Sequence, residues 1–279
     1  MSLSLLAIHA HPDDESSKGA GTVNLYSSQG IRTTLVCCTG GEAGDILNPE
    51  LQSPEIEENL PQVRAQELTV SAEIIGYDRV AMLGYSDSGM PESEHNANPK
   101  AFMNAPFDEA VEKLVAIIRE EKPHVIITYP DERKGYNHPD HLRVHDISLP
   151  AFEAAGVAAK FLDSVEPWQP LKLYESVWAR ARMEGLHKKF LELGLESPYD
   201  ESWFKRRSQD HRITTRIDIS DWWDIRGKAL RAHATQVDPN SPFWFGLPDE
   251  HARTVHPFDD YVLSLIHISE PTRPERIGV

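Results

Sequence analysis

Cysteine is nearly absent from the sequence. The only two cysteines, Cys37 and Cys38, are adjacent in an apolar run. Neighbouring residues of a strand point to opposite faces, so these thiols are poorly placed to form a disulfide with each other. Buried, reduced thiols are typical of a reducing compartment. The sequence also lacks a run of about 18 apolar residues and, at its N-terminus, the basic segment of a signal peptide. We therefore expect a cytoplasmic protein without a membrane span.

Basic residues are scarce relative to acidic ones. The chain has 28 Lys and Arg against 44 Asp and Glu, for a formal net charge of -16. A nucleic-acid-binding protein needs a basic face, so we expect no nucleic-acid partner. The sequence also has no basic amphipathic stretch of the kind that attaches proteins to a membrane surface. The glycine-rich segment 39–44 (TGGEAG) matches neither G-x-G-x-x-G nor the Walker A sequence, which argues against a nucleotide site.

The sequence does contain a regular alternation of strand and helix patterns. Strands buried on both faces appear as continuous apolar runs, and helices show apolar residues at a spacing of three to four. Their β-α-β-α order predicts an α/β fold with a Rossmann-like, mostly parallel sheet flanked by helices. The predicted strands are 3–8, 31–38, 78–83 and 124–129, and the predicted helices are 16–29, 60–76, 107–122 and 139–155.

The pattern is less regular after about residue 167. We expect residues 167–262 to form an irregular C-terminal extension of one α/β domain that spans 1–262. Within it, the aromatic segment 241–246 (SPFWFG) either lines a pocket or fills the core. Residues 263–279 show no clear periodicity and are interpreted as a tail outside the fold, for which a cloning or sequencing origin is one explanation.

Histidines and carboxylates follow two of the predicted strands. The first strand ends in 11–14 (HPDD), and the strand at 124–129 leads to 136–141 (YNHPDH). The carboxyl ends of parallel strands lie at one edge of a sheet, where open α/β sheets bind their ligands. Imidazole and carboxylate groups are metal ligands. The two distant segments are therefore predicted to meet in a metal site.

The residue types of this site predict hydrolysis. His11, Asp14 and His141 would give one divalent metal two nitrogens and one oxygen, with positions left open as in catalytic zinc sites. The same ligands also suit Fe²⁺ in an oxygenase. Asp13 favours hydrolysis, because a second carboxylate can take a proton from water. The alternative for Asp13 is a helix cap.

Three further side chains are expected around the metal. His138 lies three residues before His141, so we expect it beside the metal, where an imidazolium would stabilise an oxyanion or protonate a leaving amine. Tyr136 would be another oxyanion donor, and Asp140 would orient His138. The alternative for His138 is a solvent-facing residue at a helix N-terminus. His233, in AHATQ, is singled out without a role.

The motifs 10–15 (AHPDDE) and 138–141 (HPDH), taken together, resemble those of the zinc-dependent LmbE-like N-acetylglucosaminyl deacetylase family, also called the PIG-L family. The resemblance covers about residues 3–262. It implies a Rossmann-like sheet, Zn²⁺ as the cofactor and hydrolysis of an amide on a glucosamine nitrogen. It also makes His11, Asp14 and His141 the zinc ligands, Asp13 the general base, and His138 and Tyr136 the transition-state stabilisers.

Within this family the chain is most similar to members that cleave a cysteinyl amide in a thiol conjugate of glucosaminyl-inositol. The alternatives are a deacetylase of N-acetylglucosaminyl-inositol and a binding module without catalysis. On the sugar side we expect Glu42, Arg64 and Asp87 to form charge-assisted hydrogen bonds. On the acyl side the stem of Lys18 would pack on the thioether. The alternatives are an exposed helix lysine for Lys18 and a solvated ion pair with Glu67 for Arg64.

Overall fold

The protein is described from a computed structural model that covers residues 3–133, 135–161, 165–205 and 207–267. Within these residues, seven strands form one sheet. The strands are β1 (Ser4–His9), β2 (Arg32–Thr39), β3 (Arg79–Tyr85), β4 (Val125–Thr128), β5 (Lys172–Val177), β6 (Thr215–Asp218) and β7 (Phe258–Ile266). Their order across the sheet is β3-β2-β1-β4-β5-β7-β6; β7 pairs antiparallel with both β5 and β6, and the other pairs are parallel. The predicted mostly parallel α/β sheet is confirmed.

Helices cover both faces of this sheet. None of the described helices has the combination of length and apolar character needed to cross a membrane. The helices are α1 (Asp14–Ser17), α2 (Ala20–Ser28), α3 (Pro54–Glu58), α4 (Leu60–Ile75), α5 (Phe107–Glu121), α6 (Pro139–Ala155), α7 (Arg180–Glu192), α8 (Glu201–Lys205), α9 (Trp223–Ala232), α10 (Pro242–Phe245) and α11 (Asp249–Val255).

The central strand β1 shows how the two faces are filled. Leu6 and Ile8 pack into a core with α5 and α6, whereas Leu5 and Ala7 pack with α2, α4 and α9. This follows from the period of two along a strand. Each fully buried Leu or Ile side chain contributes about 1.5–3 kcal/mol, so β1 is held by both layers of helices. The same alternation places the adjacent thiols of β2 in different clusters, and both cysteines are buried and free as predicted.

The strand order reverses between β1 and β4. The chain moves from β1 outwards to β2 and β3, then returns across the sheet to place β4 on the other side of β1. In open α/β sheets, this switch point leaves a crevice beyond the carboxyl ends of the two strands. The segments 11–14 and 136–141 follow these two strands, so the topology brings the two predicted clusters to one crevice.

The helix predicted at 16–29 is broken into α1 and α2 at Gly19. Gly19 has φ +100°, in the left-handed region, and an added Cβ would lie 2.9 Å from the Tyr261 hydroxyl. Glycine is favoured there because it alone tolerates both the angle and the close approach. The break turns α1 into a single short turn that belongs to the crevice.

Strand β7 was not predicted. Its first residues include Asp259 and Asp260, which are buried against Arg226 and Arg216, so the apolar pattern is masked where the strand begins. The strand continues to Ile266, so the predicted domain end at residue 262 lies inside β7. Residues 263–266 therefore belong to the sheet and not to the predicted tail. Residues 268–279 lie outside the described residues, and the single domain over 1–262 stays a prediction.

Candidate active site

The crevice contains a set of side chains spaced as metal ligands. His11 Nδ1 lies 3.3 Å from Asp14 Oδ2, and His141 Nε2 lies 3.3 Å from the same oxygen. Donor atoms about 2.0–2.1 Å from a tetrahedral zinc ion are themselves about 3.3–3.4 Å apart. The spacing of these three residues therefore fits a divalent metal, and the structure brings the three predicted ligands together in a potential metal site.

Hydrogen bonds fix the Asp14 carboxylate in this position. Oδ2 accepts the backbone N–H of His11 at 3.0 Å, and Oδ1 accepts from the Lys18 ammonium group. Only 18% of the Lys18 side chain is exposed, and its ammonium lies 5.3 Å from the centre of the Tyr129 ring. Lys18 is therefore not an ordinary exposed lysine. It holds one oxygen of Asp14 and leaves the other to face the two histidines.

The second nitrogen of His11 is oriented by carboxylates. His11 Nε2 lies 3.2 Å from Asp140 Oδ2 and 3.4 Å from Asp87 Oδ1. The Asp140 carboxylate also accepts hydrogen bonds from the backbone N–H and the hydroxyl of Ser88. Such contacts fix the ring orientation of a metal-binding histidine and raise its basicity. Asp140 was predicted to orient His138, and it does so through its backbone N–H, whereas its carboxylate contacts His11 and Ser88.

His138 is instead held by a backbone group. The N–H of Asp140 donates to His138 Nδ1 at 3.2 Å, so the neutral ring carries its proton on Nε2. Burial, together with the neighbouring His11 and His141, lowers the pKa of His138 to about 3. At neutral pH the ring is a hydrogen-bond donor and not the predicted imidazolium. His138 is also buried, so the solvent-facing alternative is wrong.

Two overlapping ligand sets are possible in this crevice. His11 and His138 also approach Asp140 closely enough to form a set. The Asp140 carboxylate is fully buried and is not part of the cavity lining, whereas Asp14 and His141 line the cavity with His11. A metal that must contact a substrate is therefore better placed among His11, Asp14 and His141.

Tyr136 extends over the metal set from the loop before α6. Its ring centre lies 5.0 Å from that of His141 and 6.1 Å from that of His138. Its hydroxyl lies 4.0 Å from Met90 Sδ, and the side chain is 44% exposed. The phenol lines the cavity and is accessible to a bound molecule.

Asp13 lies in the same cavity with an unusual backbone. Its φ is 107°, which is rare for any residue other than glycine, and its side chain makes no capping hydrogen bond to α1. Burial and the neighbouring Asp14 carboxylate raise the pKa of Asp13 to about 7. Asp13 therefore occupies the N-cap position of α1, as the alternative expected, but its carboxylate does not cap the helix and is left to face the cavity. Strained backbone of this kind is concentrated at functional sites.

A buried pair that the sequence did not reveal supports Asp13. His233 Nε2 lies 2.6 Å from Glu15 Oε1, and Glu15 Oε2 accepts the backbone N–H of Asp13 at 2.9 Å. Gln236, which lines the cavity, lies with its amide nitrogen 3.1 Å from His233 Nδ1. The isolated position of His233 in the sequence was the only signal, because its partner is 218 residues away.

The predicted sugar-binding residues are differently placed. Arg64 is buried and donates from Nη2 to the backbone carbonyls of Gly44 and Asp45 at 2.9 and 3.1 Å. The carboxylate of Glu67 accepts from the N–H and hydroxyl of Thr235. The alternative of a solvated ion pair between Arg64 and Glu67 is wrong, since both are buried. Arg64 holds the loop after β2 and also lines the cavity.

Glu42 and Asp87 are bonded to each other's loops. Glu42 Oε1 accepts the backbone N–H of Asp87 at 3.1 Å, and Asp87 Oδ2 accepts the N–H of Ala43 at 3.2 Å. Asp87 Oδ1 also accepts from Gly89 and faces His11. Asp87 lines the cavity, whereas Glu42 is not among its lining residues within the described chain. The structure thus places Glu42 behind the site.

The metal set lies in a cavity of about 1190 Å³. Its lining includes Phe243 and Trp244, so the segment 241–246 does line a pocket. Phe243 also packs against a small apolar cluster with Phe190 and Tyr199, which combines both predicted alternatives. The cavity therefore joins the carboxyl edge of the sheet to side chains of the C-terminal extension.

Comparison with known proteins relates this geometry to a family. The family described as PIG-L, GlcNAc-PI de-N-acetylase, matches residues 6–152. The mycothiol S-conjugate amidase of Streptomyces coelicolor is 45% identical over 96% of this chain and 94% of its own. The 1D-myo-inositol 2-acetamido-2-deoxy-alpha-D-glucopyranoside deacetylase of Rhodococcus erythropolis is 38% identical over 84% of this chain and 81% of its own.

A solved structure shows the same fold at lower identity. The N,N'-diacetylchitobiose deacetylase of Pyrococcus horikoshii superposes with a TM-score of 0.64 at 19% identity, over 94% of this chain and 83% of that chain. At this identity the match concerns the arrangement of sheet and helices alone.

Proposed function

The chain belongs to the PIG-L family of GlcNAc-PI de-N-acetylases, and from this membership we propose that it is a zinc-dependent mycothiol S-conjugate amidase. It would hydrolyse the amide between the cysteinyl group of the conjugate and glucosaminyl-inositol, and release a mercapturic-acid-type product. The family membership confirms the predicted resemblance and the predicted class of enzyme, a hydrolase of amide C–N bonds. The substrate of this chain is the part that we propose.

One observation carries the proposal. A metal-ligand set and the adjacent Asp13 carboxylate face the same cavity, in a chain 45% identical to an amidase over 96% of its length. A carboxylate beside a metal site is placed to take a proton from water. The cavity also exceeds the about 300–1,000 Å³ of typical small-molecule pockets, which suits a conjugate larger than an acetamide.

The donor set supports Zn²⁺, with Fe²⁺ as the alternative, at one ion per chain. Two imidazoles and one carboxylate with an open position are typical of catalytic zinc sites, although the same ligands also bind Fe²⁺. When bound, the metal supplies Lewis-acid polarisation of the amide carbonyl and lowers the pKa of a water. His11, Asp14 and His141 would hold it, with Asp140 and Asp87 orienting His11.

The remaining side chains supply the proton transfers and the hydrogen bonds. Asp13 would take a proton from the water that adds to the carbonyl carbon, and return it to the amine nitrogen as the C–N bond breaks. His138 would donate from Nε2 to the developing oxyanion, and the Tyr136 hydroxyl would be a second donor. Hydrogen bonds to a developing oxyanion are typically worth about 10²–10³-fold in rate. Each role is assigned from the position of the side chain in the cavity.

The second candidate function is deacetylation of N-acetylglucosaminyl-inositol. The 38% identity to a deacetylase named for that substrate favours it, because both reactions hydrolyse an amide on a glucosamine nitrogen. The two functions are separated by measuring kcat/KM for a mycothiol S-conjugate and for N-acetylglucosaminyl-inositol with one preparation of enzyme. We expect the S-conjugate to be the better substrate. A clear preference for the acetamide would assign the deacetylase function instead.

The sugar side and the location complete the proposal. Arg64 and Asp87 line the cavity and remain the proposed contacts to glucosaminyl-inositol, while Glu42 would act by holding the loop of Asp87. Lys18 lines the cavity beside Asp14 and would contact the acyl side with its stem. We also propose a cytoplasmic location, which the two free, buried cysteines support.

A further inference from the structure

The cavity has an aromatic wall that the reaction itself does not need. It consists of Trp178, Trp203, Phe243 and Trp244, all of which line the cavity. Trp178 follows β5, Trp203 is in α8, and the other two are in α10. Three separate segments of the C-terminal extension thus contribute rings to one surface, which we call the aromatic wall.

The rings of the aromatic wall are packed against one another. Phe243 stacks on Trp178 with ring centres 5.8 Å apart and on Trp203 at 5.5 Å, and it meets Trp244 edge to face at 4.7 Å. Trp244 is also edge-on to Trp178 at 5.9 Å. Mutual packing fixes the ring orientations before a ligand arrives, which lowers the entropic cost of binding. The wall is therefore a preformed surface of flat aromatic faces.

Two of the arginines beside this wall already have partners. Arg212 donates to Glu175 at 2.8 Å, and Arg180 donates to the backbone carbonyl of Phe204 at 2.5 Å. Both arginines line the cavity. These two guanidinium groups are therefore held by the protein itself, and the surface between them consists of the aromatic rings.

The position of the aromatic wall in the chain separates it from the catalytic groups. The segment that matches the family ends at residue 152 and contains the metal set, Asp13 and His138. All four rings lie after that segment. A surface that shares the cavity with the catalytic edge, but comes from a different part of the chain, is suited to selecting substrates and not to the chemistry.

We propose that the aromatic wall binds the substituent carried on the sulfur of the conjugate, and that it selects planar aromatic substituents. This inference rests on the proposed amidase function. The acyl group is the only part of such a substrate that varies, so it is the part for which a separate apolar surface has a use. Stacking on preoriented rings favours flat aromatic groups over small aliphatic ones, because aromatic pairs gain beyond the area that they bury.

The test compares two conjugates that differ only in the sulfur substituent, naphthylmethyl and methyl. In the wild type we expect kcat/KM to favour the naphthylmethyl conjugate by about 10-fold or more. Trp244→Ala should reduce this preference by about 10-fold, and Trp244→Phe, which keeps a ring, should retain most of it. Trp244→Leu, which keeps an apolar side chain but removes the ring, is the second variant if the alanine variant does not fold, and it should reduce the preference in the same direction. Phe107→Ala, which removes an exposed ring outside the cavity, should leave the preference unchanged.

A second measurement separates this inference from the proposed function. Binding of N-acetyl-S-(naphthylmethyl)cysteine and its S-methyl analogue is measured by calorimetry with the zinc-loaded enzyme. Equal kcat/KM for the two conjugates, or equal affinity for the two cysteine derivatives, would overturn the role of the aromatic wall and leave the amidase function intact. The amidase function fails if N-acetylglucosaminyl-inositol is hydrolysed and neither conjugate is. In that case, tighter binding of the naphthylmethyl derivative that depends on Trp244 would still support the aromatic wall as a site for aromatic groups.

Discussion

Replacing His233 by alanine should strongly destabilise the metal-free protein. The side chains of His233 and Glu15 are both fully buried, and their nearest atoms are 2.6 Å apart. The variant would leave the Glu15 carboxylate without its cationic partner. Hydrogen bonds from the hydroxyls of Ser16 and Ser71 and from the backbone N–H of Asp13 would remain. These bonds limit the loss but do not replace the lost charge.

Two independent arguments give the same magnitude. Burial would raise the pKa of Glu15, but the charge and hydrogen bond of His233, with smaller contributions from the hydroxyls of Ser71 and Ser16, bring it from 4.5 down to about 2. At about 1.4 kcal/mol per pKa unit, the whole shift corresponds to about 3 kcal/mol of stability, of which His233 supplies the largest favourable part. Removing one partner of a buried ion pair typically costs about 3–5 kcal/mol. We therefore expect His233→Ala to lower the free energy of unfolding by about 3 kcal/mol.

The effect should depend on pH in a defined direction. The folded-state pKa of Glu15 is depressed, so its contribution is complete above 4.5 and is lost as the pH falls towards about 2. Burial would lower the pKa of His233, but Glu15 raises it above 6.5, so its contribution is complete below 6.5 and is lost as the pH rises through the raised pKa. The difference between wild type and variant should be largest between pH 4.5 and 6.5.

The assay is urea denaturation of chelator-treated protein at about pH 5.5 and about pH 8.5. The matched control is Lys205→Ala, which breaks an ion pair with Glu201. The side chains of Lys205 and Glu201 are 76% and 89% exposed, so this variant should change the free energy of unfolding little. A loss below about 1 kcal/mol in His233→Ala at the lower pH would refute the argument that this pair is a strong stabilising contact. A loss that is the same at both pH values would refute its electrostatic origin.

The remaining predictions concern the catalytic groups. Asp14→Ala and His141→Ala should each lose tightly bound metal while the chain stays folded, and stoichiometric metal in both variants would exclude the proposed ligands. Asp13→Asn should keep the metal and lose about 10²–10⁴-fold in kcat, since asparagine tolerates positive φ but cannot act as a base. A near-normal rate would exclude Asp13 as the base. His138→Ala should lower kcat without removing the alkaline limb of the kcat/KM profile, because the free enzyme carries a neutral His138 with a pKa of about 3. Loss of that limb would restore the acid role.

The sheet and the meeting of the two clusters were predictable for simple reasons. Strands buried on both faces must be apolar throughout, and this makes segments such as 31–38 visible in the sequence. Parallel strands joined by helices place their carboxyl ends at one edge. From these two rules, residues 11–14 and 136–141 could be assigned to one crevice before any contact was known.

Partners within the crevice were harder to predict. Asp140 was expected to orient its neighbour His138, which its backbone N–H does, but its carboxylate orients His11, which lies 129 residues away. Sequence proximity gave no sign of this second partner, because α6 begins at Pro139 and turns the Asp140 side chain towards Ser88 and His11. Helix orientation, and not spacing, decides which nitrogen a carboxylate reaches.

The sequence by itself determined the α/β architecture, the edge that carries the site and the chemical types of the groups at that edge. These depend on local periodicity and on rules for strand connection. Tertiary structure alone decided that His233 pairs with Glu15 and that four aromatic rings share the metal's cavity. Those contacts depend on how α9 and α10 pack. Glu15 and His233 are 218 residues apart, and a local sequence pattern holds no information about so distant a partner.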